Sequence, residues 1–388
     1  MAVSFVTISF LISIASAVSA QAKRPDEKQG SVSFAWRVKI SDVVGERPIG
    51  EIFGNEREFQ AHEYLSMKFI DSNTVAVAYV FRELNTRLTH RDSSLSSSSL
   101  RLQIILVNAT TGKAIEARSV VAASRRAGIV AVNEGRLVAQ VEGKLVLYSA
   151  ELQPIRDFSL PDSDKRGWQV VPSPTGKTLL VIPRDHGTGQ WLVVDTNSLR
   201  LTGSWTDNLD GAVAVSDSSF AKVTCVWRHK CSPELQLRSL LSNWVPLPNV
   251  ELQSHSSPQF VNDDVIFLSG HPSQFIQTDG TTLLADALPG STCFWEAGIS
   301  SSFGRRVIVP TCEIVESARG LDIGGTVELR AITIYDAPFD GRSYYFSYTG
   351  PKQKGLTYLA VSPSGHKLAV LNNGSLGIID LPEPRPVN

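Results

Sequence analysis

Apolar and polar positions alternate in short blocks along this chain. From about residue 65 onward, runs of five or six apolar residues rich in Val, Ile and Leu are separated by turns built from Ser, Asp, Asn and Gly. Segments such as Leu102–Val107 (LQIILV) and Trp191–Asp195 (WLVVD) carry β-branched residues at strand spacing, and a 3.6-residue periodicity is nearly absent. The recurring unit is an apolar strand, a tight turn and a second apolar strand. Its clearest copies are Val170–Val181 (VVPSPTGKTLLV) and Leu359–Val370 (LAVSPSGHKLAV), and weaker copies centre on Asp71, Asn133, Ser216, Asn262 and Ser301. In these turns Ser, Asp or Asn bonds its own backbone two residues on, Pro presets φ, and Gly accepts positive φ. The pattern predicts hairpins.

The seven turns are spaced by 62, 40, 43, 46, 39 and 61 residues. Four short strands with their turns need roughly 40 to 45 residues, the length of one propeller blade. Insertions account for the two long intervals: Leu84–Ser99, with its Ser-rich run 93–99, and Glu316–Gly325. The expectation is an all-β, seven-bladed propeller of four-stranded antiparallel blades spanning 31–383. The last unit supplies three strands before the prolines of the 384–388 tail, while Val32–Ile40 alternates like a strand and has no unit of its own. Placed as the outer strand of the last blade, it closes the ring and leaves no unpaired edge there.

The segments Ser173–Val181 (SPTGKTLLV) and Trp191–Leu199 (WLVVDTNSL), with Leu376–Asp380 (LGIID) in the final unit, resemble blades of the secreted bacterial WD40-like (YVTN-type) β-propellers. The resemblance covers most of the chain by period and about 80 residues by motif. It implies a rigid scaffold, and it carries fold rather than function.

Residues 1–22 read as a separate object. Val3–Ala20 is uncharged and apolar or small, and small residues stand where cleavage after Ala20 or Ala22 would require them, so the segment reads as an export signal with 23–30 as a polar tether. The expected location is periplasmic or extracellular, and no later apolar run has the length of a membrane helix. With 37 Lys+Arg against 38 Asp+Glu the net charge is −1, which gives no cationic footprint for nucleic acid. The chain reads as a monomer.

Four cysteines in an exported protein point to pairing. Cys225 and Cys231 flank a hairpin tip centred on Arg228. Cys293 and Cys312 are equidistant from the centre of the turn Ser301–Gly304, so each pair is expected to face across a ladder and form Cys225–Cys231 and Cys293–Cys312. Loops that join second to third strands gather on one face of a propeller. Three consecutive blades place a histidine there: His186 with Arg184 and Asp185, His229 with Trp227 and Arg228, and His271. This mixed polar patch suits a protein or a carbohydrate-like ligand, and Trp227 offers a stacking surface. Trp168 and Trp295, in first strands, are candidates for the channel mouth. A lactonase-like hydrolase would need a divalent cation held by several carboxylates near the axis, and only Glu63 and Asp210 precede first strands. The chain therefore reads as a non-catalytic binding module without cofactor or metal, with the hydrolase as the alternative. Asn108-Ala-Thr and Asn373-Gly-Ser match a glycosylation pattern that carries no meaning in a bacterial protein.

Overall fold

The computed structural model describes residues 28–44, 65–82, 100–122, 127–133, 135–161, 167–184, 188–208, 211–224, 232–248, 250, 252, 256–269, 273–286, 299–300, 305–315, 326–349, 357–372 and 374–384. Among them are seven sheets in sequence order around a ring. Blade one is Leu65–Phe69, Thr74–Arg82, Leu100–Asn108 and Ala114–Val121, and blade two is Ile129–Val132, Arg136–Val141, Lys144–Tyr148 and Pro154–Ser159. Blade three follows with Trp168–Pro172, Thr178–Pro183, Thr188–Asp195 and Arg200–Asn208, and blade four with Gly211–Val215, Ser219–Thr224, Glu234–Ser239 and Val245–Pro246. Blade five is Ser257–Phe260, Val265–Ser269, Ser273–Gln277 and Thr282–Asp286; blade six is Ile299–Ser300, Arg306–Val315, Thr326–Asp336 and Ser343–Tyr348. Thr357–Val361, Lys367–Asn372 and Ser375–Asp380 begin blade seven.

Second and third strands are buried on both faces, which is why they read as unbroken apolar runs. Leu179 and Val181 pack toward blade two, while Leu180 and Ile182 pack toward blade four. Seven apolar clusters result, one in each seam, including the seam between blade seven and blade one. A cluster in every seam is the signature of a closed ring.

Closure uses the N-terminal segment twice. Trp36–Lys39 pairs antiparallel with Ser375–Ile378 as the fourth strand of blade seven, with Trp36 opposite Ile378. The expected strand is split, however. Lys28–Val32 turns away to run parallel to Ser343–Tyr348 as a fifth strand of blade six, so the regular structure already includes Lys28–Gly30 of the presumed tether. Next, Trp36 donates from Nε1 to the Ala109 carbonyl of blade one at 2.9 Å, and Ile40, opening the short helix Ile40–Val44, is fully buried in the seam between blades seven and one. Seventeen residues thus fasten three blades.

The two clearest sequence copies fold into the same turn. Ser173 Oγ accepts from Thr178 N, and Gly176 N donates to the Ser173 carbonyl; Ser362, Lys367 and Gly365 repeat this wiring. Both glycines have positive φ. These turns also grip their neighbours: Thr175 Oγ1 donates to the Asp217 carboxylate at 2.6 Å, and Asp217 N donates to Asp263 Oδ1 at 2.9 Å, tying together blades three, four and five. At Gly176, φ is +71° and a Cβ would stand 2.7 Å from the Val132 Cα of blade two. Gly176→Ala is expected to lower stability by at least about 1–2 kcal/mol from the backbone conformation alone, with the clash in addition. Urea denaturation would check this, and an unchanged midpoint would contradict it.

Between blades six and seven, the side chain of Arg306 is fully buried. It donates from Nε and Nη2 to the two carboxylate oxygens of Asp336, at 2.6 and 3.0 Å, and from Nη1 to the Gly365 and Pro382 carbonyls, each at 2.7 Å. One guanidinium fork therefore holds its own blade, the turn of the next blade and the C-terminal strap.

Candidate interaction surfaces

A propeller has two faces. First-to-second and third-to-fourth turns form one, here the turn face; second-to-third connections and the segments leading into first strands form the other, the loop face. Turns on the first are uniform and short, from 70–73 in blade one to 362–366 in blade seven. Connections on the second vary widely, from 142–143 in blade two to 83–99 in blade one and 316–325 in blade six.

Of the sequence-predicted loop-face residues, Arg184 is described. It is half-buried, its Nε donates to the Trp168 carbonyl at 3.0 Å, and its backbone N donates to Gly167, so the side chain braces the start of blade three. Asp185, His186, Trp227, Arg228, His229 and His271 lie outside the described residues, as do Glu63 and Asp210 of the hydrolase alternative and Trp295. Trp168 is buried in the seam between blades two and three.

Cys225, Cys231 and Cys293 also lie outside the described residues. In the described ladders nearest to them, Thr224 faces Glu234, Ile299 faces Ile308 and Ser300 faces Val307. Cys312 itself follows a register shift and faces Leu329.

The most elaborate polar cluster among the described residues lies in the seam between blades three and four. In the outer strand Arg200–Asn208, alternation puts Gly203, Trp205 and Asp207 on the side facing blade four. Phe220 and Lys222 answer from the second strand of that blade. Trp205 meets Phe220 edge-on at 4.9 Å, and Lys222 Nζ donates to Asp207 Oδ1 at 3.0 Å while lying 4.5 Å from the Trp244 ring centre and 5.9 Å from that of Trp191. Asp207 Oδ2 accepts from the indole N–H of Trp205 and from that of Trp244. Farther out, Arg238 lies over Trp205, with Cζ 4.1 Å from the ring centre. Each desolvated cation–π contact is worth about 1–2 kcal/mol. Both cations are supplied by the protein, so the cage is filled from within.

Burial pushes the Asp207 carboxyl upward, but the hydrogen bonds from Lys222, Trp244 and Asn208 N outweigh it and hold the group below the ordinary carboxylate range. A depressed folded-state value contributes stability that is complete above the unfolded-state value, near 4, and is lost as pH falls through the folded one. Asp207→Asn is expected to remove that acid-sensitive component and to cost about 3–5 kcal/mol at neutral pH, because it leaves the nearly buried Lys222 without its counter-charge. Thermal midpoints measured between pH 7 and about 3 would check both parts; a variant that keeps the wild-type acid slope would contradict the assignment.

No family model matches this chain, and no curated protein matches it. Among solved structures, a chain from "Crystal Structure of Mitotic Checkpoint Complex" superposes with a TM-score of 0.50 at 11% identity, covering 98% of this chain and 99% of that one. The likeness is one of fold. BamB from Moraxella catarrhalis is similar at a TM-score of 0.38 and 12% identity, covering 81% of this chain and 84% of that one. With the seven sheets and seven seams, the first of these supports a seven-bladed β-propeller.

Proposed function

We propose that this chain is an exported, non-catalytic β-propeller of the secreted WD40-like kind, holding a protein or carbohydrate-like partner on its loop face in the periplasm or outside the cell. The observation that carries this reading is the contrast between the faces: length varies among the second-to-third connections and among the segments entering first strands, which share the loop face, while the turn face stays uniform. Loops that vary on a rigid scaffold are where recognition is usually built. The apolar segment Val3–Ala20 with its small-residue cleavage region supports export, and the four cysteines suit an oxidising compartment.

Crosslinking in intact envelopes, followed by purification of the tagged chain, tests the proposal. One partner should be captured by the wild type and lost when 83–99 is replaced by a short turn or when Trp227 and Arg228 are changed to Ala. Equal capture by those variants, or none by the wild type, would remove the loop face as the binding site. Peptide mapping without reductant on the same material should yield Cys225–Cys231 and Cys293–Cys312 linkages; free thiols at all four positions would contradict an oxidising location.

A further inference from the structure

The aliphatic side chains left in solvent stand at one level of the ring. Among the described residues the exposed large apolar side chains are Leu241, 98% exposed, with Ile115, Ile155, Leu201 and Val245 at 46 to 59%. Each lies in, or within two residues of, the third-to-fourth turn of its blade, in blades one to four. Ile115 and Ile155 are the unpaired residues of one bulge repeated in two blades: Leu106 and Val107 face Glu116 and Ala114, as Leu147 and Tyr148 face Arg156 and Pro154. In blade three the same bulge falls at Thr202, with Leu201 next to it opposite Val194. Equivalent positions of successive blades lie at equal distances from the turn face. The side chains leave by different flanks, however, with Leu201 on the blade-two side of its strand and Val245, opposite Leu237, on the blade-five side. No compact ligand would touch all five. A plane laid against the turn face would.

The chain itself enters from that side. Lys28–Val32 runs parallel to Ser343–Tyr348 with Lys28 opposite Tyr344, and Ser343 opens directly from the third-to-fourth turn 337–342, so residue 28 stands at the turn-face end of blade six. Before it come the uncharged apolar segment Val3–Ala20, of the length that enters a bilayer, and residues 21–27. That link reaches at most about 28 Å. Wherever the apolar segment is inserted, the turn face of blade six is therefore the part of the ring drawn to the membrane. Blade six stands opposite the middle of the aliphatic arc in a ring of seven. A tether at one edge leaves a disc free to tip, and the arc supplies support at the opposite edge. Lys113, Arg156 and Arg200 adjoin the aliphatics and form no ion pair among the described residues; of the acids beside them, Asp157 pairs with Lys144, Glu151 accepts from Ser149 Oγ, and Glu116 accepts from Ala117 N. Aliphatics with cations between them suit an interface of anionic head groups.

We propose that the turn face rests on a lipid bilayer, with Ile115, Ile155, Leu201, Leu241 and Val245 dipping into its interfacial layer and the N-terminal segment meeting the same membrane at blade six. The loop face then looks away from the lipid, toward the partner of the function proposed above. This rests on the exported reading only for which membrane is met, and lipid vesicles test the contact separately from it. A photoreactive leucine analogue is placed singly at Ile155, at Leu241 and, as a loop-face control, at Glu142, in the full chain mixed with vesicles of phosphatidylethanolamine and phosphatidylglycerol. Irradiation should give lipid adducts at 155 and 241 at least about tenfold more abundant than at 142. Adding Ile115→Asp and Leu241→Asp should lower the adducts at 155 at least about tenfold, an effect that a tether alone would not show. Both substituted side chains are exposed, so an unchanged thermal midpoint will show that the variant is folded. Lipid adducts confined to 142, none at the rim, or an equal yield in the double variant would overturn the proposal. So would an adduct joining Leu241 to a second copy of this chain, which would assign the rim to self-association.

Discussion

A variant lacking Lys28–Val44 is expected to lose its cooperative unfolding transition. The deletion strips the fifth strand from blade six and the fourth from blade seven, exposes the edge of Ser375–Asp380, and withdraws Ile40 and Trp36 from the seam that closes the ring. Open edges of that kind also invite association. Graded substitutions separate these contributions. Ile40→Ala removes a fully buried side chain and should cost about 2–5 kcal/mol. Trp36→Phe keeps much of the packing but leaves the Ala109 carbonyl without its indole donor, for a smaller loss of about 1 kcal/mol. Urea denaturation followed by fluorescence and circular dichroism would measure all three. A deletion variant with the wild-type midpoint and slope would show that closure is dispensable.

The second large effect is expected at Arg306. Arg306→Ala takes the guanidinium fork away from the buried Asp336 carboxylate and from the Gly365 and Pro382 carbonyls, which should cost about 3–5 kcal/mol. Arg306→Lys keeps the charge but cannot reproduce a fork that reaches four acceptors, so it should recover only part of the loss. The double variant Arg306→Met/Asp336→Leu should be more stable than Arg306→Ala, because the buried carboxylate is removed together with its guanidinium. If the double variant proved no better, the cost would have to lie in the two carbonyl contacts rather than in the ion pair.

Much of the architecture was legible because each blade repeats one local solution. The turns at Asp71, Asn133, Ser173, Ser216, Asn262 and Ser362 were readable from their side-chain chemistry, and Trp36 was placed against blade seven by asking which strand lacked a partner. The parallel strand Lys28–Val32 gave no such signal. Its sequence, KQGSV, has no alternation, and what holds it is main-chain pairing to an edge that exists only once blade six has formed.

The seam between blades three and four leaves only a partial mark in the sequence. Lys222 stands within the otherwise apolar run Phe220–Val223, and a lone cation there implies a buried partner. That the partner would be Asp207, with Trp244 beside it, depends on the packing of two blades, which no local pattern encodes. The loop-face histidines were chosen by their spacing. Arg184, the described member of that patch, turns out to brace the backbone of its own blade.

The N-terminal fastening sets an order of events during synthesis. Lys28–Lys39 is translated before any strand of blades one to seven, yet its ladder partners at Ser343–Tyr348 and Ser375–Ile378 come hundreds of residues later. Pairings separated by so much sequence form late, after the intervening loop has been closed. Until then a nascent chain carries finished inner blades beside unsatisfied terminal edges. A truncated translation product would keep those edges permanently, giving proteolytic surveillance a simple structural mark by which to tell it from the completed ring.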